Sequence, residues 1–371
     1  MRVLLSTAPL HGHFFPLVPL GWAFRALGHE VLVATSEPFV ATAVGAGLPA
    51  TATGPGIELG ALADSGSAGG IADDRYAHGL VFADLAARHL PGMAALMDDW
   101  RPDVVVSERA EFAAPLAASA RGIPRVELQW GVAELGEYRA AAEAVLRPYR
   151  PGSGPMPRPD LILDPWPASL RLPHALANHG LRHVPYNGVE RVFDFASRDR
   201  PRVCLTLGTV LPHVGRRGMP DVVGGIVGRL AAEGYEIIVA MDDELVADLP
   251  SLPSAVLHAG RVPLSQTLRT CDVLVHHGGQ GTSLTALACG RPQVVLPHFD
   301  DQLENADAVN RSGAGLCLPF AEATPERIAK YCRYVLDDDR FATAAAVIAR
   351  EIAAQPSPVA VAEDLAALAA R

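Results

Sequence analysis

The chain of 371 residues is 49% apolar, enough for the cores of two domains, and its formal net charge is −10. That charge, with no basic stripe, argues against nucleic acid as a partner and requires any bound phosphate to be gripped locally. Its five cysteines (204, 271, 289, 317 and 332) show no metal-ligand spacing, so each reads as a buried thiol.

Residues 2–7 form an apolar strand. It begins too early for a signal peptide to precede it, and no apolar run reads as membrane-spanning, so a cytoplasmic protein without a membrane partner is expected. The strand enters Pro9-Leu10-His11-Gly12-His13-Phe14-Phe15-Pro16, with Pro16 in the first turn of a helix over residues 16–27. Ligands of an open α/β sheet bind beyond the carboxyl ends of its strands. His13 is therefore a candidate base for an acceptor hydroxyl, a role suited to imidazole. The plainer alternative is a pair of satisfied loop histidines.

A strand over residues 29–35 and a helix over 39–45 complete a βαβα opening, the start of a parallel doubly wound sheet. Residues 54–74, rich in Gly, Ala, Ser and Asp, read as a long surface loop and a candidate lid. Helices over 80–100 and 112–121 alternate with strands over 103–107 and 125–128. Glu108 follows the strand ending at Ser107, on the same rim as His13, and is a candidate orienting carboxylate. Glu111 competes with it, and a surface ion pair between Glu108 and Arg109 is the plainer explanation. Phe14, Tyr76, Phe82, Phe112 and Trp130 are candidate walls of an acceptor pocket, although aromatics at such spacing also make core.

After a loop over residues 147–159 and a last strand at 161–163, the first domain is expected to span residues 1–187, with a linker at 188–201. A second doubly wound unit covers 202–355 and opens with a strand at 203–206 followed by Gly208-Thr209. Pro356-Ser357-Pro358 breaks the Ala-rich tail, and residues 356–371 are expected to form a helix packing back on the first domain. Two such domains make a cleft, a preferred small-molecule site.

The densest signal is Leu274-Val275-His276-His277-Gly278-Gly279-Gln280-Gly281-Thr282-Ser283-Leu284. Strand, glycine turn and helix N-terminus in succession make an anion site from backbone N–H groups and the helix dipole. An ordinary βα turn gives the same pattern, so the next loop matters. Pro297-His298-Phe299-Asp300-Asp301-Gln302 follows the next strand and faces the same pocket, with an Asp-Gln pair suited to hydroxyl groups. A phosphate cradle beside hydroxyl ligands outlines a sugar nucleotide.

In combination, Gly12 to Pro16, Thr206-Leu207-Gly208-Thr209, Val262-Pro263, His276 to Thr282, and Pro297 to Gln302 with Asn305-Ala306 resemble a known family. The chain looks like the inverting, two-domain GT-B glycosyltransferases, closest to the bacterial branch that decorates polyketides and other natural products. The resemblance covers nearly the whole length. It implies an α/β fold of two doubly wound parallel-sheet (Rossmann-like) domains facing a cleft, with the acceptor in the N-terminal and the nucleotide sugar in the C-terminal domain. His13 would be the general base and Glu108 its acidic partner, usually Asp in the family. Gly208, Thr209, His277, Gly281 and Thr282 would hold the diphosphate, with Gly279 and Gln280 also in the donor site, and Asp301 and Gln302 the sugar, with His298 beside them.

Arg261, before Val262, stands where many members stack a Trp on the base; Thr285 stands where users of ribonucleotides carry a Glu for the ribose hydroxyls. Loss of that carboxylate predicts dTDP over UDP. No metal or cofactor is expected besides the dTDP-sugar co-substrate. The partners implied are this donor and a hydrophobic aglycone, and the oligomeric state is left open, a homodimer included. Two other readings stand: a sugar-nucleotide epimerase, which needs no separate acceptor base, and a non-catalytic nucleotide-sugar-binding auxiliary protein. A nicotinamide dehydrogenase is disfavoured, because the loop after the first strand lacks G-x-G-x-x-G.

Overall fold

Short apolar runs alternating with helix-forming segments fold, in a computed structural model, into two parallel sheets; the structure describes residues 1–56, 70–150, 154–188, 191–195, 200–209 and 218–370. The first sheet comprises β1 (Arg2–Ser6), β2 (Glu30–Ser36), β3 (Ala50–Gly54), β4 (Val104–Glu108), β5 (Arg125–Leu128), β6 (Leu161–Asp164) and β7 (His179–Gly180). The second comprises β8 (Arg202–Thr206), β9 (Glu236–Ala240), β10 (Val256–Gly260), β11 (Val273–His276), β12 (Gln293–Val295) and β13 (Gly315–Cys317). β4, β8 and β11 are buried along their whole length, as expected of parallel strands covered by helices on both faces.

The strand orders are β3-β2-β1-β4-β5-β6-β7 and β10-β9-β8-β11-β12-β13. Each reverses direction once, between β1 and β4 and between β8 and β11, and a crevice opens at such a switch point. Register does the rest. Ser6 lies opposite Ser107, so Glu108 projects just past the end of β1. His276 lies opposite Thr206, so the loops carrying Gly208 and His277 leave side by side.

Several expectations are corrected. The helix expected from about residue 80 begins at Ile71 and runs to Trp100, with Asp73 and Asp74 in its first turn and Pro91 inside. By length and composition it is apolar enough to cross a membrane, contrary to the sequence reading, yet it buries Phe82, Leu85, Met93 and Met97 in the first domain's core. Of the expected lid, residues 57–69 lie outside the described ones. His13 stands on a short helix, His11–Phe14, followed by a 3₁₀ turn and the helix Val18–Ala26.

The tail forms the helices Asp339–Ala354 and Pro358–Ala369, the second capped by the Ser357 hydroxyl, which accepts the Ala360 N–H at 3.1 Å. Val361, Ala362 and Leu365 of this last helix share a core with Phe14, Leu17 and Leu20 of the first domain. A second cluster joins the domains directly, packing Val132, Trp166 and Leu170 against Leu284, Ile348 and Ile352.

Candidate active site

The rims of both sheets line one cavity of about 510 Å³. On its C-terminal wall the chain leaves β8 through Gly208, whose φ of +73° favours glycine. A Cβ there would land on the His277 imidazole, and one at Gly279 would lie 2.5 Å from His277 Nε2. Only glycines let the two loops close on this ring. The helix Gln280–Ala288 begins without a side-chain cap, and Gly281 and Thr282 of its first turn line the cavity. Their N–H groups and the helix dipole form an anion cradle.

The adjacent histidines differ. His276 is wholly buried, accepts the Gly278 N–H on Nδ1 at 3.1 Å and donates Nε2–H to Gln293 Oε1 at 2.7 Å, so its tautomer is fixed and its role is structural. His277 lines the cavity with a buried Nδ1 that has no hydrogen-bond partner among the described residues. Burial, and then the neighbouring His298, hold its pKa down to about 4, so it meets a ligand as a neutral imidazole. Thr209, Val262 and His298 complete this wall.

Arg261 lines the same wall, its Nη2 paired with Asp242 Oδ1 at 2.9 Å. Asp74 and Asp242, each half of an acidic doublet, both line the cavity. Asp301 is half-buried in the loop after β12 and accepts Asn305 Nδ2–H on Oδ2 at 2.6 Å. Burial, then the charge of Asp300, push its pKa up to about 7 against the opposing pull of Asn305, Arg109 and His13.

Two of the expected donor ligands have part of their side chain committed elsewhere. Gln280 Oε1 accepts the Gly131 N–H at 2.7 Å and Trp166 Nε1–H at 2.9 Å, tying the domains together and leaving a buried Nε2 with no partner among the described residues. Gln302 Oε1 accepts the His298 N–H at 3.0 Å within its own loop, so Gln302 offers a ligand its amide NH2 alone.

On the N-terminal wall, His13 Nδ1 lies 3.1 Å from Glu108 Oε1. Glu108 also accepts the N–H groups of Ala8 at 3.0 Å and Ala110 at 2.8 Å, and Trp130 Nε1–H at 2.7 Å. Burial pushes its pKa up, but His13 and these backbone donors outweigh it and hold the carboxyl below the usual range. The His13 ring is stacked on Phe82 at 5.3 Å and tilted against Trp130 at 4.7 Å, and all three line the cavity.

Arg109, read as the surface partner of Glu108, instead donates to the carbonyls of Trp130 and Ala133, each at 2.8 Å. Glu111, the competing carboxylate, accepts the N–H groups of Ala113 and Ala114 at 3.0 Å and so caps its own helix. Phe14 and Phe112 are corrected as acceptor contacts. Phe14 is 0% exposed on the core side of its short helix, and Phe112 is buried beneath the rim; neither lines the cavity. Tyr76, the further candidate, is exposed and outside it as well.

The sequence reading missed Tyr138, His78 and His183, all of which line the cavity. None sits in a motif; Tyr138 comes from a helix with ordinary amphipathic spacing, and His183 from the irregular chain after β7. His183 Nε2 lies 3.3 Å from the Thr285 hydroxyl, which itself donates to the Gly281 carbonyl.

The two domain models of the erythromycin biosynthesis protein CIII-like family match residues 22–208 (N-terminal) and 225–368 (C-terminal). The L-demethylnoviosyl transferase of Streptomyces niveus is 39% identical, over 99% of this chain and 98% of its own. Among solved structures, a glycosyltransferase of Streptomyces sp. SF2575 complexed with thymidine diphosphate is similar at a TM-score of 0.84 and 33% identity, covering 98% of this chain and 99% of its own. A spinosyn rhamnosyltransferase complexed with spinosyn aglycone gives a TM-score of 0.88 at 32% identity, covering 98% of this chain and 100% of its own.

Proposed function

This chain belongs to the erythromycin biosynthesis protein CIII-like family, as a glycosyltransferase of natural-product biosynthesis with a sugar-nucleotide donor, and from that premise we propose its finer chemistry. The donor is a dTDP-deoxysugar, the acceptor a hydroxyl or aromatic carbon of a hydrophobic aglycone, and transfer inverts the anomeric centre. His13 Nε2 takes the proton as the acceptor attacks the face opposite the leaving diphosphate. Glu108, held on Nδ1, orients the ring and stabilises the imidazolium that forms. The bond from the anomeric carbon to the diphosphate oxygen breaks, leaving glycoside, dTDP and a proton on His13.

Negative charge growing on the diphosphate falls to the first-turn N–H groups of Gly281 and Thr282, the helix dipole and neutral His277. A cradle of this kind needs no divalent ion. The observation that carries the reading is the His13–Glu108 pair at 3.1 Å in the same cavity as the His277 cradle. The preference for dTDP is supported by Thr285, whose hydroxyl is engaged by Gly281 and His183 and which brings no carboxylate for a 2′-hydroxyl.

Isothermal titration of dTDP and UDP in EDTA, on wild type and His277→Ala, tests the donor half. The expected result is metal-independent binding, tighter for dTDP and weakened in the variant. UDP binding as tightly as dTDP would remove the deoxyribose preference, and a requirement for Mg²⁺ would remove the metal-free cradle.

A further inference from the structure

The loop that carries the proposed sugar ligands is not shaped by its own domain alone. Asp300, next to Asp301, adopts φ +51°, a left-handed conformation that a non-glycine residue enters at a cost. What holds it there comes from the opposite domain. Its carboxylate accepts the Tyr138 hydroxyl at 3.1 Å and lies 2.9 Å from His78 Nδ1, and its carbonyl accepts Arg75 Nη2–H at 2.7 Å. The same guanidinium pairs with Glu304 one turn into the following helix, at 2.6 Å. Tyr138, His78 and Arg75 are all buried, which strengthens the bonds they make to Asp300 beside the cavity.

Tyr138 also belongs to the acceptor wall. Its ring is stacked on Phe82 at 5.7 Å and meets Trp130 edge-on at 6.0 Å, the two rings that flank His13. One side chain thus touches the surface where the aglycone would lie and the residue that sets the sugar loop.

We propose that Tyr138 and His78 are positioning residues for the donor sugar: by fixing Asp300 they aim Asp301 and Gln302 at the sugar hydroxyls, coupling sugar recognition to the acceptor domain. The inference rests on the reading of Asp301 and Gln302 as sugar ligands. The diphosphate cradle lies on other loops, and none of its residues bonds to Tyr138 or His78 among the described contacts.

Tyr138→Phe removes one hydroxyl and keeps the ring; His78→Leu removes the imidazole, and His78→Asn restores a short donor. The assay compares KM for the nucleotide sugar, kcat, and Kd for dTDP without sugar. Tyr138→Phe and His78→Leu should raise the sugar-nucleotide KM roughly five- to thirtyfold, as loss of a buried bond to a charged group would, with dTDP Kd unchanged. His78→Asn should return KM most of the way to wild type. An unchanged KM in both variants overturns the proposal, and so does a parallel rise in dTDP Kd, which marks general loosening of the domains. Asp301→Asn separates the two levels of argument. If it raises KM while the clamp variants do not, the clamp fails and the sugar subsite stands. If it leaves KM unchanged, the sugar subsite fails and the clamp proposal falls with it.

Discussion

At the scale of single residues, His13 and Glu108 make the sharpest predictions. Base catalysis contributes about 10²–10⁴-fold, so His13→Ala should lower kcat by that order in a single-turnover assay with dTDP affinity unchanged. Glu108→Gln sets an amide among three N–H donors, from Ala8, Ala110 and Trp130, and removes the charge 3.1 Å from His13 Nδ1. It should cost turnover on the order of 10²–10⁴-fold as the ring loses its orientation. Asp301 gives a pH signature. With its pKa raised to about 7, it is protonated below that value and a carboxylate above it. A sugar bound by the carboxylate should show a donor KM that falls as pH rises through about 7, and Asp301→Asn should flatten this profile. A sugar diphosphate diester has no titration of its own there, which keeps the profile interpretable. The sign for stability runs the other way: a carboxyl raised in the folded state contributes stability that is lost as pH rises from the unfolded value, about 4, through about 7.

At the scale of elements, the last helix carries the clearest stability prediction. Leu365 is wholly buried against the first domain, although it lies only six residues before Arg371. Leu365→Ala leaves a cavity in that core and should cost about 2–5 kcal/mol, read as a lower thermal midpoint of the N-terminal domain. A shift in the C-terminal domain alone would contradict this packing. Element types along the chain were largely legible, because buried parallel strands are short unbroken apolar runs and the glycine turns that end them are local signals. The helix Ile71–Trp100 was misjudged at its start. Its first turn carries Asp73 and Asp74, which read as solvated polar chain, and only contact with the opposite domain shows Arg75 and His78 as buried.

At the scale of the whole molecule, a formal charge of −10 opposes an anionic donor. The proposed cradle relies on N–H groups and a neutral histidine in place of a cluster of cations. Raising KCl from about 50 to 500 mM should therefore leave dTDP affinity level or improve it, because screening weakens the repulsion. Titration calorimetry across that range checks it. A steep loss of affinity would instead mean that charged side chains grip the diphosphate.

The sequence by itself determined the two-domain α/β plan, the His13 and Glu108 rim and the glycine turn around His277, all features written in neighbouring residues and strand ends. Phe14 and Phe112 show its limit: spacing marks an aromatic as buried but not which face of a two-sided sheet it covers. The joins between domains were decided only by the tertiary structure. Gln280 reaching Gly131, Asn305 reaching Val132, and Tyr138 and His78 holding Asp300 link residues more than a hundred positions apart. Such pairs have no local period to betray them, since it is the packing of one finished domain on another that brings them within hydrogen-bond distance.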